Sequence, residues 1–295
     1  MIRLAAFFLG AGTLLFSGGA LACATCLAGD PTLTLIGAEK PYAGRKRVAL
    51  EWLDRSEDMG VAGFNQVTID EQRWTLGLSY TPIERLSVGL RLPWIKKQRE
   101  DASLARASTQ TFGDLEVTAK LHLQPVAYGM REAYGVIFGV RLPTAEEQFK
   151  SNGLPLDIDV QPGTGAVTPH LGAWFARFAY PWFWHVSSIV HVANEGWQEF
   201  RAGPALVSSL TAQRALAQGM ALQLALDTRW SEKDEYAGIA DPNSGGFIAF
   251  LSPGLVYNLR TDLLLNLRIQ LPVVDALNGD HDESTTIGIG LTYDF

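Results

Sequence analysis

Beyond Ala22 the 295-residue chain contains no apolar run long enough to cross a membrane as a helix, which takes about 20 residues. The nearest candidate, Phe178 to Ala193, is interrupted by Pro181, His185, Ser187, Ser188 and His191. Cysteine is nearly absent: Cys23 and Cys26 are the only two, so neither a disulfide framework nor a multi-thiolate metal site is available. Charge is sparse as well. Charged residues make up 19%, and 24 Lys+Arg against 31 Asp+Glu leave a net charge of −7 with no basic cluster. That composition argues against a nucleic-acid partner. In abundance are apolar residues, at 47%, and glycine, with 29, many of them inside apolar stretches. The chain is too apolar for disorder. Interior glycines weaken a soluble sheet but suit the bends and crowded walls of a barrel.

Residues 1–22 read as a signal peptide. Arg3 supplies the positive charge, Leu4 to Phe16 form a short apolar stretch, and Ala20-Leu21-Ala22 is a small-x-small cleavage site. Cleavage would place Cys23 at the mature N-terminus; lipidation there is disfavoured because Ala20 stands where a leucine is preferred. An exported chain without a helical span is periplasmic, secreted or in the outer membrane. In lipid, only helices and closed barrels satisfy their own backbone.

Period-2 alternation runs along almost the whole mature chain. Trp74, Leu76, Leu78 and Tyr80 alternate with Arg73, Thr75, Gly77 and Ser79; Leu263, Leu265, Leu267, Ile269 and Leu271 alternate with Leu264, Asn266, Arg268 and Gln270. Twelve such segments are expected, near 46–56, 70–80, 85–95, 112–124, 132–142, 164–177, 181–193, 200–211, 218–230, 246–259, 262–272 and 284–295. Most have the length of a tilted membrane strand, about 9–11 residues, and not the about 5–6 of a soluble one. Trp52, Trp74, Tyr80, Trp94, Tyr134, Trp182, Trp230, Tyr257 and Tyr293 fall near segment ends, where an interfacial aromatic girdle needs them. Connections alternate between short and long, and an even strand count puts both barrel ends in the periplasm. The terminal Gly290, Tyr293 and Phe295 resemble the C-terminal signal read by the outer-membrane assembly machinery. The expected fold class is all-β: a closed antiparallel transmembrane barrel of about 12 strands over 46–295. It has short periplasmic turns, longer outer loops, and a periplasmic N-terminal segment, 23–45, carrying the Cys-x-x-Cys.

Three stretches add a family resemblance. Phe112 to Leu123 (FGDLEVTAKLHL), Gly139 to Glu147 (GVRLPTAEE) and Pro162 to Arg177 (PGTGAVTPHLGAWFAR) resemble the meta-pathway phenol-degradation outer-membrane transporters, over about 65 residues. Ala145 and Ala166-Val167 depart from that pattern. The resemblance implies an outer-membrane transporter and says little about its ligand.

Charges on the lipid face are costly, so those on the strands must point inward. The expected lumen-lining residues are Arg73, Arg91, Glu116, Lys120, His122, Arg141, His170, Asp227, Arg229, Asn266, Arg268 and Gln270. They form either a polar conduit or an interior packed with paired charges. Cys23 and Cys26 are expected to form a disulfide, which is structural or redox-active. Leu27 follows the second cysteine where haem attachment needs a histidine. His185-Val186-Ser187-Ser188 partly resembles the His-x-Ser-Asn-Gly of outer-membrane phospholipases, but Ser188-Ile189 replaces Asn-Gly and no third group is evident to orient the imidazole. His191 and His281 lack metal-ligand spacing. The reading is therefore not an enzyme, with no cofactor and no metal. It is an outer-membrane channel or transporter for small molecules, hydrophobic ones included, with the lipid bilayer and the solutes as its partners. The alternative is a structural barrel that anchors a periplasmic redox or envelope partner through its Cys-x-x-Cys segment.

Overall fold

The structure is a computed structural model that describes residues 32–36, 42–61, 64–124, 130–216 and 219–295. Residues 1–22 and the two cysteines lie outside these. Twelve strands form one closed antiparallel barrel. They are β1 (Lys46–Met59), β2 (Val67–Ile83), β3 (Leu86–Asp101), β4 (Leu115–His122), β5 (Glu132–Leu142), β6 (Thr168–Ala179), β7 (Trp182–His191), β8 (Ala205–Ala215), β9 (Met220–Ser231), β10 (Gly246–Asn258), β11 (Leu263–Leu277) and β12 (Thr286–Asp294). Each pairs with its neighbours in sequence, and β1 pairs with both β2 and β12, so the sheet has no free edge along the wall. The Phe295 amide donates to the Lys46 carbonyl (2.9 Å), which puts the start of β1 and the end of β12 on the same side.

The wall is inverted relative to a soluble protein. Leu76, Leu78 and Leu226 are each more than 40% exposed, while Glu71, Lys120, Asp227 and Arg229 are at most 2% exposed. A continuous apolar exterior of this kind is stable only against lipid. On the first three strands its upper edge is a row of aromatics in register: Trp52 faces Trp74, Trp74 faces Trp94, and Trp94 faces Phe112. Above that row the outward positions turn polar, with Asp54, Ser56 and Asp58 on β1, Gln72 and Asp70 on β2, and Lys96, Gln98 and Glu100 on β3. Tyr80, Tyr134, Trp182 and Tyr293 mark the opposite edge. The strands at this corner continue well past the belt.

Two expected strands begin later than their alternation suggests. The segment expected from 164 starts at Thr168, because residues 162–167 turn into the barrel mouth. The one expected from 200 starts at Ala205, because Phe200–Arg201 pairs with Glu235–Tyr236 in a small separate sheet over the rim. The stretches 57–69 and 96–111, expected as long loops, are largely strand: β1 reaches Met59, β2 starts at Val67, and β3 pairs with Arg106–Phe112.

Part of the 23–45 segment packs against the inside of the barrel. A single helical turn, α1 (Thr32–Leu35), places Leu35 and Ile36 against Gly77 on β2, Gly89 on β3 and Ala49 on β1. The Ser79 hydroxyl donates to the Leu35 carbonyl (3.2 Å). The fit depends on missing side chains: a Cβ on Gly77 would stand 2.7 Å from Leu35 Cδ1, and one on Gly89 3.0 Å from Leu35 Cδ2.

Candidate functional site in the barrel interior

The outer mouth is narrowed by the segment between β5 and β6. Ile158–Val160 form a short 3-10 turn whose residues are all buried. It is tied to β3 from below: Lys97 Nζ donates to the carbonyls of Asp159 (3.1 Å) and Gln161 (3.2 Å), and Arg99 Nη1 pairs with Asp159 Oδ2 (3.3 Å) and Asp157 Oδ2 (3.1 Å). Gln161, almost wholly buried, donates to the carbonyls of Gln148 and Leu156 at 2.9 Å and accepts from the Gln148 amide at 2.8 Å. This loop is thus held by charge-assisted hydrogen bonds, the stronger kind.

Below it lies a lattice of alternating charges. Glu71 is gripped by Arg55 Nη2 (2.9 Å) and Arg73, with Lys97 Nζ at 4.0 Å. Arg91 bridges Glu51 (3.3 Å) and Glu116 (3.9 Å), and Arg141 reaches Glu116 at 3.5 Å. Arg229 pairs with Glu283 at the rim, and Arg47 makes a bidentate pair with Asp294 at the other end (2.6 and 2.7 Å). A cavity of about 60 Å³ between the loop and this lattice is lined by Arg73, Arg91, Glu116 and Arg141 among others.

Glu57 and Glu71 stand above the tryptophan row, outside the membrane belt. Burial alone would raise the Glu57 carboxyl, but Arg55 and His281 outweigh it and hold it at about 2. Burial is likewise overcome at Glu71, where Arg73, Arg55 and Lys97 keep the carboxyl far below the ordinary carboxylate range.

The inner half of the interior is organised differently. Trp174 is the hub of one wall: Lys120 Nζ sits 4.2 Å from its ring centre, His122 meets it edge-on at 4.7 Å, and His185 stacks at 6.1 Å. His170 shares a hydrogen bond with Thr118 (3.1 Å) and lies 5.2 Å from the His191 ring. On the facing wall Asp227 is fully buried and accepts from Ser209 Oγ (2.6 Å), Ser252 Oγ (2.6 Å) and Gln270 Nε2 (3.3 Å). Beside Asp227 is a cavity of about 270 Å³. Leu33, Phe178, Phe183, Val256 and Leu264 give it apolar surface; Ser209, Gln213, Gln223, Asp227, Asn266 and Arg268 give it polar groups.

The twelve residues expected in the lumen fall into four places. Arg73, Arg91, Glu116 and Arg141 line the upper cavity. Lys120 and His122 on β4 flank Trp174, and His170 lies on Trp174's own strand, β6. Asp227, Asn266, Arg268 and Gln270 lie at or beside the large cavity. Arg229 stands apart at the rim. Sequence reasoning misses Arg55 and Glu71, at the ends of expected strands, and Lys97 and Arg99, on the extension of β3 beyond residue 95, where both faces are polar. It also misses a grouping between the top of β1 and His281–Glu283, the short strand before β12, in which ligand atoms of Glu57, His281 and Glu283 lie within 4.8 Å of one another. Arg55 and Arg229 already contact these carboxylates, so the trio belongs to the charge lattice. His185 and Ser187, compared above with a phospholipase motif, are both buried on the inner face, whereas Ser188, at the asparagine position of that motif, is on the outside, where its Oγ bonds Ser208 Oγ (2.7 Å).

Neither a family model nor a curated protein matches the sequence. Solved structures do match. An outer-membrane channel from Pseudomonas putida F1 is similar with a TM-score of 0.69 at 13% identity, covering 88% of this chain and 98% of that one. The fold is that of outer-membrane β-barrels. The translocator domain of the autotransporter NalP from Neisseria meningitidis is also similar, with a TM-score of 0.52 at 10% identity and coverage of 88% and 91%. At these identities the likeness is one of architecture.

Proposed function

We propose that this barrel is an outer-membrane channel or transporter for small molecules, hydrophobic ones included. The observation that carries the reading is the chamber of about 270 Å³, of mixed polarity, enclosed by a wall whose exterior is apolar. Pockets for small ligands are concave and mostly apolar, with a few placed polar groups, and this chamber has that make-up. The resemblance of Phe112–Leu123 and Gly139–Glu147 to the phenol-degradation transporters supports the same reading. Passage requires two elements to yield: the loop around Asp159 at the outer mouth, and Leu35–Ile36 seated on Gly77 and Gly89 at the inner one. The last strand, with Tyr293 and Phe295 on its outer face, is the segment we assign to the assembly machinery.

The test is conductance of the refolded full-length protein in a planar bilayer. The wild type is expected to conduct weakly, because both mouths are obstructed. The double variant Leu35→Asp, Ile36→Asp puts two carboxylates against the apolar seat made by Ala49, Gly77 and Gly89, so the turn leaves it. Its conductance should be higher and steadier. A silent wild type together with a silent double variant would sink the channel reading.

A further inference from the structure

Seven inward arginines described above, Arg47 to Arg229, each have a carboxylate within 4 Å. Arg268 on β11 has no ion pair and no side-chain hydrogen bond among the described residues. It borders both the large chamber and a smaller cavity that extends toward Glu51 and Arg91. Its partners across the ladder are Gly254 on β10 and Gly288 on β12, so no side chain stands directly opposite it on either neighbouring strand. Beside Gly288 the space is open, since an added Cβ would meet nothing closer than 3.8 Å.

Arg268 is half-buried and faces open cavity space, so its charge is accessible to a guest. A guanidinium offers five donors in a planar fork that matches a carboxylate. The one carboxylate in the chamber's lining, Asp227, is turned to Ser209, Ser252 and Gln270. Its lone pairs are occupied by neutral donors, which leaves it little to offer a cationic guest. The lining's other cation, Arg47, is taken by Asp294, so Arg268 is the charged group of the chamber with capacity to spare. Across the same chamber Phe178 and Phe183 present apolar surface, and Val256 and Leu264 do so on Arg268's own side.

We propose that the chamber binds a small amphipathic monoanion, with its carboxylate on Arg268 and its ring or short alkyl body against Phe178 and Phe183. A volume of about 270 Å³ lies near the lower end for ligand pockets, so a single ring fits better than a long acyl chain. This site rests on the channel reading and names its solute class.

Equilibrium dialysis of labelled benzoate and of benzamide, its neutral counterpart, against full-length protein in micelles tests the assignment. Wild type should bind benzoate saturably and more tightly than benzamide. Arg268→Gln should weaken benzoate by about tenfold to a hundredfold, the loss of a charge-assisted contact, and leave benzamide unchanged. Arg268→Lys should keep part of the benzoate affinity, and it serves as the informative variant if the glutamine form does not fold. Equal binding of the two probes by wild type, or benzoate affinity unmoved in Arg268→Gln and Arg268→Lys, overturns the proposal. Wild-type conductance measured alongside keeps the two ideas apart. A conducting barrel indifferent to Arg268 refutes the anion site alone, and saturable Arg268-dependent binding by a silent barrel supports the site while refuting the channel.

Discussion

Glu71→Ala is expected to destabilise the outer part of the barrel by about 3–5 kcal/mol, the usual cost of leaving a buried ion cluster without one partner. Glu71 is 1% exposed and answers Arg55 and Arg73 directly, with Lys97 close by. Without it, three cations face one another inside a narrow wall. Lys97 and Arg99 also hold the Asp159 loop, so that loop should loosen as well. The measurement is the temperature at which the folded, fast-migrating form is lost on gels, together with protease access to residues 143–163. A variant as stable as wild type would mean that water screens this cluster.

The same group sets a pH signature. The folded carboxyls of Glu57, at about 2, and of Glu71 lie below their unfolded value, which is near 4.3. Their stabilisation is fully present above that unfolded value and is lost as pH falls through the folded ones. Melting temperature should therefore be flat from neutrality down to about pH 5 and decline below that. Glu57→Gln with Glu71→Gln should start lower and show a shallower acid decline.

Leu90→Arg should impair assembly by about 2–4 kcal/mol, while Arg91→Leu should assemble and change ion selectivity. Leu90 lies midway between Leu86 and Trp94 on β3, and its ladder partners Leu78 and Val117 are apolar. An arginine there enters lipid at mid-depth. Arg91 points the other way, toward Glu51 and Glu116. Refolding yield into vesicles and the reversal potential in a salt gradient separate the two cases. Equal assembly defects in both variants would mean that β3 is rotated by one residue.

All twelve spanning strands were legible in the sequence for one reason: lipid on one side and a polar interior on the other make neighbouring residues differ sharply. Where that contrast fails, so does the reading. At the top of β1 the outward Asp58 follows the inward Glu57, so both faces are polar and the stretch beyond Ser56 reads as loop. The inward turn at Ile158–Val160 has no period, and its burial rests on long-range contacts to Lys97 and Arg99. Leu35 and Ile36 find their seat through glycines on two other strands. Arg268 was legible as an inward residue, but its lack of a partner was not, because that depends on what stands on β10 and β12.

The seam between β1 and β12 sets a timetable for biogenesis. Arg45 and Arg47 both grip Asp294, across 249 and 247 positions of chain. As the chain is made, β1 is the first strand to appear and must keep one side unpaired until the eleven that follow have been exported. An open strand flank in the periplasm is a template for aggregation. The cylinder cannot mature hairpin by hairpin into a stable product. A chain stopped within β12 would strand two flanks at once, and its earlier hairpins, however well formed, would have nothing to close upon.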